Sequence, residues 1–265
     1  MSRTNDTPLT FWDHLDVLRG CLWRILLVCV MCGVVAFIAK DTLFGIVLAP
    51  QHPDFFTYRM LDFLSTWIGG SGGATQFHVE LINTGLSQQF VIHMRTAFYA
   101  GFLCASPYVL YSLFRFVSPA LYENERHYAV WAVVWGYVMF VLGVLLSYFL
   151  IFPLTFRFLA TYQVSTEVVN TITLQSYMDT LFMLTLMMGI LFEIPLLCWL
   201  MGKLGLLSAD FMCRYRKHAV VVILIVAAVI TPTADAFTLA LVALPVYLLY
   251  ELGIVLVRNS AAKSV

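Results

Sequence analysis

The 265 residues are 61% hydrophobic and 11% charged, whereas ordinary soluble domains carry roughly 45–50% apolar and about 25% charged residues. Such a chain cannot clothe a soluble core in polar side chains. Its fifteen Lys/Arg are balanced by fifteen Asp/Glu, with no basic run that could bind a nucleic-acid backbone. The expected fold is an all-α polytopic membrane protein, one integral membrane domain over residues 1–265 with six spans.

A spanning helix needs about 20 mainly apolar residues, and charges mark the ends. Phe11, His14, Leu15 and Leu18 recur at helical spacing, with Thr10 and Asp13 in a capping relation; they predict a short amphipathic lead-in helix on the membrane surface. Met1–Gly20 carries Asp6, Asp13 and Asp16 and lacks a cleavable apolar core, so the first span is expected to be retained. That span covers residues 21–39, closed by Lys40 and Asp41. An external loop over residues 40–93 follows. Its Gly69–Gly73 tract reads as a joint, and its Phe, Leu and Trp residues predict helical caps on the membrane face. The next spans are predicted at 96–114 and 129–153, then at 178–201 with Glu193 inside it. The last two, 219–231 and 237–257, are expected to be short: the apolar run Ala219–Ile230 makes only about 18 Å of helix against a core of about 30 Å. A short span thins the bilayer or borrows length from its flanks.

With the N-terminus inside, eleven Lys/Arg fall on the inner face and four outside. This positive-inside bias predicts two cytoplasmic termini.

Cys29 and Cys32 have CxxC spacing, but within an apolar helix cysteine acts as a small hydrophobe. The six histidines show no paired-ligand spacing, and there is no phosphate loop or nucleophile elbow. No metal, cofactor or enzymatic site is expected. Three features remain. Glu193 lies where an ionised side chain costs about 2.5–3.5 kcal/mol on insertion scales, and Pro195 loosens the backbone beside it. It reads either as a protonated glutamate bonding a neighbouring helix or as a polar docking site. The loop 116–127 carries Glu123 and Glu125 on the face that favours cations, either as ordinary solvated acids or as receivers of a cationic ligand. Thr231-Pro232-Thr233-Ala234-Asp235 reads as a turn with a capping aspartate. A secondary transporter using Glu193 is the alternative these residues allow, although no inverted repeat is evident. A membrane-embedded hydrolase would need a nucleophile and base at matching depth.

The run Phe11-Trp12-Asp13-His14-Leu15-Asp16-Val17-Leu18-Arg19, the Phe-Val-Ser-Pro-Ala-Leu-Tyr-x-x-Glu-Arg loop at 116–126, Phe152-Pro153-Leu154, Gly-x-x-Phe-Glu-x-Pro at 189–195, the region of Arg216, Thr-Pro-x-x-Asp at 231–235, and Pro245 with Tyr250-Glu251 together resemble the TatC family. That family is the multi-spanning receptor subunit of the twin-arginine protein translocase. The resemblance covers nearly the whole chain, in order. It implies a six-span bundle with a cupped shape, binding of twin-arginine signal peptides of folded cargo, assembly with single-span TatA/TatB-type subunits and further copies of itself, and export driven by the proton gradient across the bacterial inner membrane.

On this resemblance Glu125 receives a signal arginine. A guanidinium fork engages a carboxylate bidentately and stays charged. Phe116, Pro119, Leu121 and Arg126 hold or shape the loop, and Arg19 belongs to the N-terminal motif. That motif usually supplies a second acid where this chain has Val17, with Asp16 one place earlier. Neighbouring helical residues point about 100° apart, which leaves three possibilities: a rotated lead-in helix, Glu123 as the second acid, or one strong contact. Glu193 matches the family's partner-docking glutamate. Pro50, Tyr148, Pro153 and Asp235 match positions with structural roles.

Overall fold

The structure, a computed structural model, describes residues 11–67, 79–117, 126–163, 165, 170–231 and 235–261. Its helices are α1 (Phe11–Ile38), α2 (Lys40–Val47), α3 (Phe56–Trp67), α4 (Gln88–Val117), α5 (Arg126–Leu146), α6 (Phe152–Thr161), α7 (Leu174–Leu191), α8 (Ile194–Lys203), α9 (Ala209–Arg214), α10 (Arg216–Ile230) and α11 (Ala236–Ala261). A 3-10 turn covers Ala49–Gln51, and a π-helical segment, Ser147–Ile151, joins α5 to α6. Two residues of strand on each side, Leu81–Ile82 (β1) and Ile172–Thr173 (β2), pair in parallel, Leu81 opposite Ile172.

Five stretches among the described residues are long and apolar enough to cross a bilayer: 15–38, 88–116, 133–161, 174–203 and 236–259. The sixth expected span is α10, at 15 residues about 22 Å long. This is an all-α polytopic membrane architecture.

Four expectations need correction. No separate lead-in helix exists, because α1 runs unbroken from Phe11 through the first span; a lone Gly20 weakens a helix by about 1 kcal/mol and does not stop it. The third span does not end at Pro153. Its path continues to Thr161, because the π segment passes directly into α6 and the Thr57 hydroxyl fills the acceptor that Pro153 cannot. The fourth span is two helices, α7 and α8, broken at Phe192–Glu193. Finally, only one C-terminal helix is short: α11 has 26 residues and its polar last turns carry it beyond its apolar stretch.

Close approaches between helices rest on glycines. A Cβ on Gly101 of α4 would lie 2.5 Å from the backbone nitrogen of Gly33 in α1, and one on Gly143 of α5 would lie 2.5 Å from the Met188 carbonyl of α7. Small residues let spanning helices pack backbone to backbone where lipid supplies no hydrophobic drive. Helix α1 is peripheral: only 6% of its most apolar window is buried, and Trp23, Leu27 and Val35 are exposed.

The main core lies where the π segment, α6, α7, α10 and α11 meet α2 and the start of α4, centred on Ile151, Phe152, Tyr177, Leu184, Met188 and Val242. Three tyrosines close the loop onto it. Tyr148 donates to the Ile46 carbonyl at 2.6 Å and Tyr177 to the Val47 carbonyl at 3.0 Å, satisfying two of the last-turn acceptors that every helix end leaves open. Tyr58, wholly buried on α3, has its hydroxyl 3.0 Å from the Pro50 carbonyl and 3.1 Å from that of Pro153. Proline at 153 cannot donate to the Phe149 carbonyl, which accepts from the Thr57 hydroxyl instead. Prolines 50 and 153 and Tyr148 thus converge on one junction.

Candidate functional site

The cation-rich end is built by the start of α1 and the end of α4. These helices are antiparallel: Gly33 abuts Gly101, and the Cys21 thiol lies 3.6 Å from the Ser112 carbonyl. Continued toward the N-terminus, this register brings Asp16 and Arg19 level with the last turn of α4, where Phe116 is half-buried. The face of α1 turned to α4 is the stripe Leu18, Cys21, Ile25, Cys29, Gly33 and Ala36. At 100° per residue Asp16 falls nearly opposite that stripe and Val17 flanks it. Asp16 and Arg19 are both exposed, and Val17 is 54% exposed. Glu123, Glu125, Pro119 and Leu121 lie outside the described residues. So does the side chain of Arg126, whose backbone opens α5.

Glu193 occupies the break between α7 and α8. Pro195 has no N–H for the Leu191 carbonyl, α7 ends there, and Glu193 becomes the residue preceding α8. Its side chain is 9% exposed, and Oε1 has no hydrogen-bond partner among the described residues. Oε2 lies where a Cβ on Gly136 of α5 would be 3.2 Å away, with Leu196 and Phe114 forming the rest of that wall. Gly136 therefore makes the room the carboxyl occupies. Sequence reading missed Gly136; its only signal was a small residue amid large apolar ones. A buried polar atom without a partner costs about 1–3 kcal/mol, so a donor arriving from another helix would be stabilised here.

Asp235 accepts from the Thr238 N–H at 2.7 Å and caps the start of α11; residues 232–234 of the same motif lie outside the described residues. A cavity of about 540 Å³ opens between α1, α2, α4, α5 and α7, walled by such residues as Leu103, Leu145, Phe182 and Thr185. No charged residue lines it, so it suits hydrocarbon and not an ionic solute.

Residues 13–245 match the family model described as Sec-independent protein translocase protein (TatC). The TatC protein of Blattabacterium sp. subsp. Periplaneta americana is 32% identical over 254 residues, covering 94% of each chain. That of Deinococcus radiodurans is 32% identical over 249 residues, 93% of this chain and 85% of its own. A crystal structure of the twin-arginine translocase receptor TatC superposes with a TM-score of 0.74 at 26% identity, covering 94% of this chain and 99% of the other. Membership in a family of protein-translocase components displaces both the solute-transporter and the hydrolase alternatives. The chain belongs to the TatC family of Sec-independent protein translocases, and it is a multi-pass membrane protein of that non-enzymatic transport system.

Proposed function

We propose that this protein is the signal receptor of a twin-arginine translocase in a bacterial cytoplasmic membrane, with both termini and the 118–125 loop on the cytoplasmic face. It binds twin-arginine signal peptides of folded cargo, docks single-span TatA/TatB-type subunits through Glu193, assembles with further copies of itself, and works on the proton gradient. The observation that carries the reading is the antiparallel α1–α4 pair, which sets the Asp16–Arg19 turn level with the root of the loop bearing Glu123 and Glu125.

Glu125 takes one signal arginine. An exposed pair contributes only about 0–1 kcal/mol, so affinity also requires desolvation at the membrane surface and burial of the signal's apolar segment. Because Asp16 lies on the side of α1 away from α4, we take Glu123, two residues from Glu125 in the sequence, as the second acid, and Asp16 serves only a signal that wraps the outer face of α1. Phe116, Pro119, Leu121, Arg126 and Arg19 shape this surface. At Glu193 an interhelical hydrogen bond worth on the order of 0.6 kcal/mol, up to about 2, suits a reversible contact.

The test is photo-crosslinking from position 124, beside an intact Glu125, to a twin-arginine signal peptide and to the same peptide with two lysines. The arginine peptide alone should crosslink. In the Glu193→Ala protein that crosslink should persist while co-purification of the single-span subunit falls. Equal crosslinking of the two peptides, or of neither, overturns the receptor reading.

A further inference from the structure

We infer that the bend between α9 and α10 binds the phosphate headgroups of anionic phospholipids. This goes beyond signal binding and needs none of it: it rests on the depth of the bend and on the side chains it exposes, so a chain that failed to bind a twin-arginine peptide could still show the lipid preference.

The first observation is depth. Helices α8 and α11 run parallel, a Cβ on Gly202 falling 3.0 Å from Val257 and one on Gly253 falling 3.3 Å from Cys198. The end of α8 at Lys203 is therefore level with Arg258. The chain then turns at Gly205, whose φ of +70° suits a residue without a Cβ, and α9 runs back along α11, with Met212 packed on Ile254 and Val257. At the start of α10 the Arg216 guanidinium meets the Glu251 carboxylate at 2.8 Å. Glu251 precedes Arg258 by seven residues, so Arg216 sits about 10 Å deeper than the rim formed by Lys203 and Arg258. Helix α10 falls short of a bilayer core by nearly that distance, about 22 Å against about 30 Å. Headgroups must sink to the bend for its charges to stay solvated.

The second observation is chemistry. Between Lys203 and His218, and in the last turns of α11, five cations (Lys203, Arg214, Arg216, Lys217 and Arg258) face two acids, Asp210 and Glu251. Of these acids Glu251 is already engaged by Arg216 and by the Tyr247 hydroxyl at 3.0 Å. Arg214, Lys217 and His218 are exposed at the bend itself. Beside them Phe211 and Tyr215 are 54% and 43% exposed, their rings 4.6 Å apart. Aromatic rings of this kind settle at the boundary between headgroup and hydrocarbon. Clustered Lys and Arg at that depth attract anionic lipid, and Arg214 and Lys217 on either side of the bend can converge on one phosphate.

The shared chemistry is a phosphate ester, which a soluble headgroup also carries, so the test separates the two sources. The melting temperature of the full chain in neutral detergent is followed with added phosphatidylglycerol, phosphatidylcholine or soluble glycerophosphoglycerol. Phosphatidylglycerol alone should raise it. R214Q/K217Q should weaken the apparent affinity by about ten- to thirtyfold, while R214K/K217R and, at the opposite end, K40Q/R59Q keep it. In the unaltered chain, photoactivatable phosphatidylglycerol should label residues 203–218, a readout that stands even if the glutamine variant fails to fold. An equal rise with phosphatidylcholine or with the soluble headgroup, full affinity in R214Q/K217Q, or labelling spread evenly onto residues 40–59 overturns the proposal.

Discussion

At the loop end of the bundle, Tyr58, Tyr148 and Tyr177 each place a hydroxyl on a backbone carbonyl between residues 46 and 50, and Thr57 takes the acceptor that Pro153 strands in the π segment. At the opposite end, the start of α1, the turn after α8 and α9 leave Trp12, Val17, Leu206 and Phe211 exposed. Charged side chains there stand out from the bundle, as at Asp16, Arg19, Arg214 and Lys217. Both ends contain interrupted helices, but the loop end is fastened by three tyrosine hydroxyls on backbone carbonyls, whereas among the described residues the opposite end has one, Tyr250 on the Met212 carbonyl at 2.9 Å, beside the Arg216–Glu251 pair. A protein whose partners arrive at one face can make the other self-sufficient. The open end has its polar and apolar groups available for lipid, signal or another subunit.

The sharpest way to break this contrast is to remove one aromatic side chain from each end. Tyr58→Ala should cost about 3–5 kcal/mol, the range for truncating a buried aromatic, and more if the carbonyls of Pro50 and Pro153 stay dry. Phe211→Ala should stay within about 0.5 kcal/mol, as surface changes do. Thermal unfolding of both variants in one detergent measures the pair; comparable losses would mean that α9 is as tightly built in as α3.

A smaller effect is expected from alkali. Burial pushes the Tyr58 phenol well above the ordinary tyrosine value of 10, and the positive charge of Arg157 offsets this in part. The fold therefore holds that proton more tightly than the unfolded chain does. Its stabilising contribution is complete below pH 10 and is lost as pH rises beyond it, by up to about 1.4 kcal/mol per pH unit. The difference in melting temperature between the parent and Tyr58→Phe should narrow progressively above pH 10; a constant difference up to pH 12 would mean that this phenol is not held dry.

These contrasts bear on what the residues alone disclosed. Spans were legible because charges such as Arg95, Arg115 and Lys203 punctuate apolar runs. The break at Glu193 was foreshadowed by Pro195, and the cap at Asp235 by its place after a proline-containing turn. What escaped notice depends on which elements meet across the bundle. Tyr58, Tyr148 and Tyr177 come from three separate segments, and no local period says that their hydroxyls converge. Gly136 matters only because Glu193 lies across from it. The lead-in helix was misjudged for a different reason: its polar first turns suggested a surface element, but nothing from Phe11 to Ile38 is able to stop a helix. At the candidate signal site the motif residues were evident, while the direction of Asp16 emerged only once the stripe facing α4 was known.

The smallest expected effect lies at the open end, where the Arg216–Glu251 pair joins the start of α10 to α11. Its side chains are 48% and 30% exposed, a setting in which a single ion pair contributes about 0–1 kcal/mol. Glu251→Gln keeps an acceptor for the Tyr247 hydroxyl and removes only the charge, so the loss should stay under about 1 kcal/mol and vanish near 1 M salt, where screening acts within about 3 Å. A loss above about 2 kcal/mol that persisted at high salt would show this bond to be as structural as the tyrosine contacts at the loop end. The open end would then owe its exposure to its side chains alone, with a backbone as firmly fixed as that of its counterpart.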